Sequence, residues 1–481
     1  MNISTAIDGY KLDHRRQYPQ GTESVYSNLT PRGSRVKGET HVVFFGLQYF
    51  LKKYLMEEFN RGFFEQNVEK VCEKYARRVN GYLGPNTIGT DHIRALHNLG
   101  YLPLEFKALP EGTHVPLRVP MFTVVNTVPE FFWLTNYFET LLSNVLWMPT
   151  TSATTASQFR RVLDQYAERT GSPKEFVDWQ GHDFSFRGMP GLEAAMISGA
   201  GHLLFFTGTD TIPAIDLIEE YYPTETFIAG SVAATEHSVV CAGGEGGERE
   251  TVSRLIDLYP EGIFSYVSDT WDLWRLLTEI LPSLKREILN RNGKMVIRPD
   301  SGDPVKIICG DKDAPYMSPA YKGVIQLLWE VFGGTTTSRG YKLLDSHIGC
   351  IYGDSINIER LNAILEGLEE NGFASANMVF GMGSFTYQYV TRDTYNMAMK
   401  ATHCEINGTP IDMFKKPITD NGMKESAKGM LAVLRDKDGN LYLKNQATVD
   451  ELEQSELKTV WKDGQFKMFY DYAEVRARAR A

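Results

Sequence analysis

Between Leu203 and Ser384 the chain repeats one order of residues six times: a short apolar run, a polar cluster, then a helical pattern. LLFF ends in Thr207-Gly208-Thr209-Asp210, and the run around Phe227 leads to Glu236-His237. FSYV ends in Ser268-Asp269, and MVI ends in Arg298-Pro299-Asp300-Ser301-Gly302. Residues 348–352 end in Gly353-Asp354, and MVF ends in Gly381-Met382-Gly383-Ser384. Two of the intervening helices declare themselves. Leu273, Leu276, Leu277 and Ile280 fall on one helical face, as do Leu361, Ile364, Leu365 and Leu368, with Asn371-Gly372 as a stop. Six such units in about 180 residues predict parallel strands joined by crossover helices. An irregular β/α barrel would gather every polar strand end on one face. A doubly wound open sheet, the competing architecture, would gather only some of them.

The flanks read differently. Residues 1–155 have an α+β texture, with amphipathic helices predicted over 47–59 and 130–147 and Pro-rich extended pieces such as LPEGTHVPLRVP between them. Beyond residue 386, Asp438-Gly439 joins LAVLRDK to NLYLK as a hairpin, and the closing VRARARA reads as a solvated helix end or a frayed tail. The expected organisation is an α+β domain over 1–155, completed by 386–481, and an α/β barrel catalytic domain over 156–385.

A net charge of -10 gives no general attraction for nucleic acid or an anionic membrane, so an anionic substrate would need a local basic pocket. Five cysteines, far apart and never in a CxxC pair, fit a reducing cytoplasm rather than a disulfide framework or a zinc site. The first residues carry no apolar run of the kind that opens a secretory signal. The longest uncharged window, 140–159, is half Ser, Thr, Asn or Gln and contains Pro149, which makes it a poor membrane span.

The strand ends carry the chemistry. A lone Asp after a strand is ordinarily a helix cap, and Asp210, followed by Pro213, fits that reading. Asp210, Asp269, Asp300 and Asp354 at successive strand ends are harder to explain as caps, because clustered carboxylates repel unless a cation holds them. Hydrated Mg²⁺ bound through one or two of them suits the pattern, with Asp269 and Asp300 as candidates. In RPDSG, Arg298 offers a planar fork for phosphate and Asp300 a metal or ribose contact; a strand followed by a capped turn explains the same letters. GMGS, with Gly383 and Ser384, resembles a phosphate nest at a helix start. His237 is either structural or a phosphoryl-accepting nucleophile. Phe184 and Tyr10 read as core residues or as the two faces of a slot for a flat ring, and Arg187, Arg392 and Lys400 as surface charges by default.

Taken together and in order, DGYK, QYP, VVFFGLQYFLKKYL, HDFSFRG, GTDT, SVAATEHS, SYVSD, IRPDSGDP, GYKLL, GDSI and FGMGS through TRD resemble the nicotinamide phosphoribosyltransferases, over roughly residues 5–475. The resemblance implies a homodimeric type II phosphoribosyltransferase, an irregular α/β barrel with an added α+β domain and active sites at the subunit interface. It implies transfer of the phosphoribosyl group of phosphoribosyl pyrophosphate to nicotinamide, coupled to ATP hydrolysis through a phosphohistidine at His237. By matching position, Phe184 and the partner subunit's Tyr10 would sandwich nicotinamide, and Asp210 would accept from its carboxamide. Ser265 would also bind substrate, and Arg187 and Arg298 would take phosphates. Asp300, Gly353 and Asp354 would hold ribose, and Gly383 and Ser384 the 5′-phosphate. Arg32, Arg392 and Lys400 of the partner subunit would take pyrophosphate. A carboxylate at Asp210 facing the acid instead of the amide would cost about 4 kcal/mol at ~4 Å and an effective dielectric of about 20, so the amide is preferred; nicotinate phosphoribosyltransferase is the alternative. A catalytically dead paralogue and a barrel aldolase are further rivals, the latter lacking a strand-end lysine. Against the family pattern, residues 306–322 look inserted and are expected near the mouth of the site, Ser384 stands where glycine is common, and Ala233 replaces a proline.

Overall fold

The computed structural model describes residues 3–415 and 427–481. The chain divides into two compact units: residues 1–154, 216–226 and 390–481 form one, and residues 155–215 and 227–389 the other.

The first unit is built on an antiparallel sheet in the order Thr409–Asp412, Met397–Ile406, Thr22–Pro31, Phe122–Asn126, Leu104–Ala108, Lys458–Lys462, Gln465–Phe466. The expected helix at 47–59 is present as Leu47–Phe50 continued by wider i→i+5 turns over Leu51–Glu58 and Asn60–Phe64. Its start is capped from a distance. The buried Glu111 carboxylate accepts from the Gly46 and Gln48 amides at 3.0 and 2.5 Å and from the Tyr222 hydroxyl at 2.8 Å. Burial pushes this carboxyl up, against the pull of those donors. The hairpin at Asp438-Gly439 pairs Ala432–Arg435 with Leu441–Lys444, with Gly439 at φ 85°. The last segment is a helix end, the first of the two readings, but a packed one. Tyr472–Arg480 is a helix with Tyr472, Val475 and Ala479 buried, and Arg478 donates to the Glu111 carbonyl. Its apolar residues recur at helical spacing beneath the alternating arginines, so it is a packed element and not a frayed tail.

The predicted helix over 130–147 is a turn at Pro129–Phe131, a short helix at Leu134–Tyr137 and then Glu139–Thr170, which continues through Pro149. Buried Leu142, Leu146, Ala153, Ala156, Phe159 and Leu163 line this helix, and burial outweighs the local penalty of proline. Among the described residues no helix is long and apolar enough to cross a membrane.

The second unit carries seven parallel strands: Gly181–Asp183, Gly208–Thr209, Ala233–Ala234, Glu261–Val267, Asn292–Arg298, Ile348–Tyr352 and Met378–Met382. Each pairs with its predecessor or successor in the chain, and the last pairs with the first. Between the second and third strands, among the described residues, the backbone link is the bridge Gly208↔Gly230, which turns the sheet toward a ring. This is the α/β class expected, curled as an irregular barrel. Two of the apolar runs are corrected. Leu203 to Phe206 are the buried turn that ends helix Leu192–His202, and the strand is the two residues Gly208–Thr209. Near Phe227 the strand is Ala233–Ala234, and Phe227 itself is exposed. The strand Gly181–Asp183 was not anticipated.

Candidate active site

A cavity of about 1630 Å³ lies inside the second unit, lined among others by Phe184, Arg187, Asp210, Ser265, Arg298 and Asp300. Phe184 and Arg187 follow Gly181–Asp183, Asp210 follows Gly208–Thr209, Ser265 lies within Glu261–Val267, and Arg298 ends Asn292–Arg298 with Asp300 just beyond, which is how four separated segments reach one space.

One corner is polar and tightly specified. His182 pairs with Gly208 across adjacent strands, and its Nε2 lies 2.9 Å from Asp210 Oδ1. The Ser231 hydroxyl donates to the same oxygen at 2.7 Å. Burial raises the Asp210 carboxyl, but His182, Ser231 and the Arg298 charge outweigh it and hold the group below the ordinary aspartate value. Beside this corner the Phe184 ring lies against bare backbone. A Cβ built on Gly353 would fall 2.7 Å from Phe184 Cδ2, and one on Gly381 2.3 Å. Neither glycine adopts a left-handed conformation, so it is the ring that requires glycine at both positions.

A second cluster gathers the charged groups around Arg298 and Asp300, which line the cavity; His237, Asp269 and Asp354 do not line its wall. Arg298 donates to the Thr235 carbonyl at 2.8 Å and lies 3.4 Å from Asp300 Oδ2, while its Nε is buried without a hydrogen-bond partner. His237 Nδ1 is 2.9 Å from the Thr270 hydroxyl, and its Nε2 faces Asp300 at 3.8 Å and Asp269 at 4.0 Å. Ser301 donates to Asp269 Oδ2 at 2.5 Å, and Asp269 Oδ1 is buried with no hydrogen-bond partner among the described residues. Burial pushes the Asp300 carboxyl up, Asp269 and Asp354 add to the shift, and Arg298 and His237 oppose it. Ser265, which also lines the cavity, keeps a buried hydroxyl with no hydrogen-bond partner among the described residues. The cavity runs on to Lys294, whose ammonium lies 5.9 Å from the Phe176 ring centre and is held below the ordinary lysine value by burial, against the pull of Asp345.

Gly383 and Ser384 do not line the cavity wall, but Ser384 is next to it. It opens the one-turn helix Ser384–Tyr387, and its side chain occupies the space above Gly188, beside Arg187. Gly353 meets Phe184, and Asp354 follows it at the same strand end. None of residues 306–322 lines the cavity wall. Pro304–Cys309 instead buries Ile308 and Cys309 toward helix Ile358–Glu370, where Cys309 Sγ is 3.4 Å from the Ile364 carbonyl.

The remaining candidates belong to the first unit. Tyr10 is 61% exposed. Arg392 pairs with Asp393 at 3.0 Å, and Arg32 Nε reaches the Asn396 carbonyl at 3.4 Å. Lys400, opposite Asn28 in the sheet, is held below the ordinary lysine value by burial and by Arg32, Lys415 and Lys11, against Glu139. Sequence reasoning missed His182, Ser231, Thr235, Thr270 and Ser301. His182 was findable: in HDFSFRG it stands two residues before Phe184, on the same face of an extended segment.

Residues 179–465 match the nicotinate phosphoribosyltransferase (NAPRTase) family, and residues 2–82 match the nicotinamide phosphoribosyltransferase N-terminal domain. A nicotinamide phosphoribosyltransferase of Acinetobacter baylyi is 54% identical over 99% of this chain and 97% of that protein. One from Mycoplasma pneumoniae is 38% identical over 86% of this chain and 92% of its own length. In fold, the chain is similar to a nicotinate-nucleotide pyrophosphorylase from Pyrococcus furiosus, with a TM-score of 0.62 at 13% identity, covering 100% of this chain and 94% of that one.

Proposed function

The chain belongs to the nicotinate phosphoribosyltransferase (NAPRTase) family and, within it, to the nicotinamide phosphoribosyltransferases, and on that premise we propose that it transfers the phosphoribosyl group of phosphoribosyl pyrophosphate to nicotinamide, releasing pyrophosphate. The observation that carries this reading is the opening of Phe184, Asp210, Arg298 and Asp300 onto one cavity. Phe184 gives a flat wall for the pyridine ring, with Tyr10 of the partner subunit as the other wall. Asp210 accepts from the carboxamide N–H, and the unpartnered Ser265 hydroxyl supplies a further polar contact. Asp300, Gly353 and Asp354 hold the ribose, and Gly383 and Ser384 the 5′-phosphate.

Bond breaking at the ribose C1 builds positive charge on the sugar and negative charge on the leaving pyrophosphate. Arg187 and Arg298 stabilise the second and are already in place to do so. Holding the pyridine nitrogen in line with C1 removes most of the entropic cost of the encounter. Arg32, Arg392 and Lys400 of the partner subunit complete the anion site in a homodimer. Asp269 and Asp300 fit Mg²⁺: both are hard oxygen donors, and among the described residues Asp269 Oδ1 has no hydrogen-bond partner. Among the described residues no three His, Cys, Asp or Glu side chains group as a metal site, so Asp269 and Asp300 would hold an ion together with substrate oxygens and water. When bound, Mg²⁺ neutralises charge on the pyrophosphate oxygens. His237 is the acceptor for the terminal phosphoryl group of ATP, the co-substrate. Thr270 holds its Nδ1, and its Nε2 faces the two carboxylates. The enzyme works in the cytoplasm, in salvage of the pyridine ring into NAD.

The test is mass spectrometry of purified protein with nicotinamide, phosphoribosyl pyrophosphate and Mg²⁺, with and without ATP. Nicotinamide mononucleotide should form in both, and more with ATP. Its absence in both overturns the assignment, and equal yields overturn the coupling.

A further inference from the structure

His182 and Ser231 both point at one atom, Asp210 Oδ1, at 2.9 and 2.7 Å. Asp210 Oδ2 has no hydrogen-bond partner among the described residues, although half of the side chain is open to the cavity. The two oxygens of this carboxylate are therefore not equivalent. One is saturated by protein donors, and the other is the only acceptor left for a ligand.

His182 is held for this task. Its ring fills the space that a side chain on Gly208 would need: a Cβ there would fall 2.5 Å from His182 Nδ1. It also sits 5.0 Å from the Phe184 ring, centre to centre, at 56°. The histidine therefore cannot turn away from Asp210 without disturbing the wall of the cavity. A neutral imidazole with its proton on Nε2 donates to Oδ1. A hydrogen bond to a charged acceptor contributes more than one between neutral groups. Two such donors on Oδ1 favour the ionised carboxylate and fix the direction of Oδ2.

We propose that His182 and Ser231 are positioning residues that hold Asp210 as an ionised acceptor with one free oxygen, and so set the preference for a pyridine carboxamide over the pyridine carboxylic acid. The inference rests on the proposed transfer to nicotinamide. An amide N–H finds Oδ2 ready. A ligand carboxylate meets a like charge that cannot readily be relieved by protonating Asp210, because both donors oppose that proton.

The experiment compares His182→Leu, His182→Gln and Ser231→Ala with the unaltered enzyme in steady-state kinetics, varying nicotinamide, nicotinate and phosphoribosyl pyrophosphate in turn. His182→Leu removes a donor to a charged group and should raise KM for nicotinamide about tenfold or more, with kcat and KM for phosphoribosyl pyrophosphate little changed. The ratio of kcat/KM for amide over acid should fall by at least as much. His182→Gln, whose side-chain amide can donate to Oδ1, should recover most of the ratio. Ser231→Ala, at an exposed position with little packing role, should lower the ratio in the same direction without a change in melting temperature. An unchanged amide-to-acid ratio in both His182→Leu and Ser231→Ala, in proteins that melt like the parent, overturns the inference. If His182→Leu does not fold, Ser231→Ala alone decides it. Failure of the unaltered enzyme to use nicotinamide would instead overturn the underlying function.

Discussion

Substituting Gly381 by Ala tests the slot beneath Phe184 more directly than removing the ring. The added Cβ would stand 2.3 Å from Phe184 Cδ2 and 2.7 Å from the Gly353 Cα, where ordinary contact begins at 3.4 Å. The ring, or the strand under it, must therefore move by about 1.1 Å. Overpacking of this kind costs about 1–3 kcal/mol of stability, which lowers the melting temperature by a few degrees and leaves the barrel folded. The kinetic cost is larger, because a misplacement of about 1 Å in a positioning group can remove up to about 100-fold in rate. The expected result is a fall of about 10- to 100-fold in kcat/KM for nicotinamide, with KM for phosphoribosyl pyrophosphate within about twofold of the parent. Gly353→Ala, whose Cβ would meet the same ring at 2.7 Å, should have the same effect at smaller size. Because both press on one ring, the double variant should fall short of the product of the two single effects. An unchanged kcat/KM for nicotinamide in Gly381→Ala, or equal losses for both substrates, would refute the idea that the glycine floor sets the slot.

Asp210→Asn removes the charge that repels the acid, and the kcat/KM ratio of nicotinamide to nicotinate should fall at least about tenfold, since the opposing charges are worth several kcal/mol at contact; the two substrates are compared at fixed pH. His237→Ala should abolish the stimulation by ATP while leaving ATP-independent transfer measurable, read as product formed with and without ATP. Glu111 titrates above the ordinary carboxylate value in the folded protein, so between about pH 4.3 and that raised value the folded state holds more protons than the unfolded one, and stability falls as pH rises. Glu111→Gln should flatten that slope and lower stability by about 1–3 kcal/mol at neutral pH, measured by urea unfolding across pH. Truncation after Asp471 removes the buried Tyr472, Val475 and Ala479 and should sharply lower the melting temperature of the first unit.

The strands that were legible in the sequence are those that carry their own apolar run. Phe264 to Val267, Met295 to Ile297, Ile348 to Tyr352 and Met378 to Phe380 all lie inside observed strands. The helix Ile358–Glu370 buries the four residues its periodicity marked. Strands of two or three residues left no such trace. Gly181–Asp183 reads Gly-His-Asp and contains no aliphatic residue, and Leu203 to Phe206, hydrophobic enough for a strand, cover a helix end instead. In the candidate site, Asp210, Arg298 and Asp300 could be picked out because each follows a recognisable run or motif. Ser231 could not, because its significance lies in an oxygen of a residue 21 positions away, and for His182 the sequence offers only its place two residues before Phe184, not the oxygen of Asp210 that it meets 28 positions on.

The ring of strands is not equally strong all the way round. Glu261–Val267 and Asn292–Arg298 are in register over seven residue pairs. The Gly208↔Gly230 joint rests on two amides, Thr209 to the Gly230 carbonyl and Gly230 to the Thr207 carbonyl. This thin seam lies directly under Asp210 and Ser231. Local opening begins where the fewest bonds must break, so the Thr209 and Gly230 amides should exchange with solvent ahead of the rest of the sheet. As the protein is warmed toward its melting point, fidelity between two near-identical pyridines should degrade before turnover does.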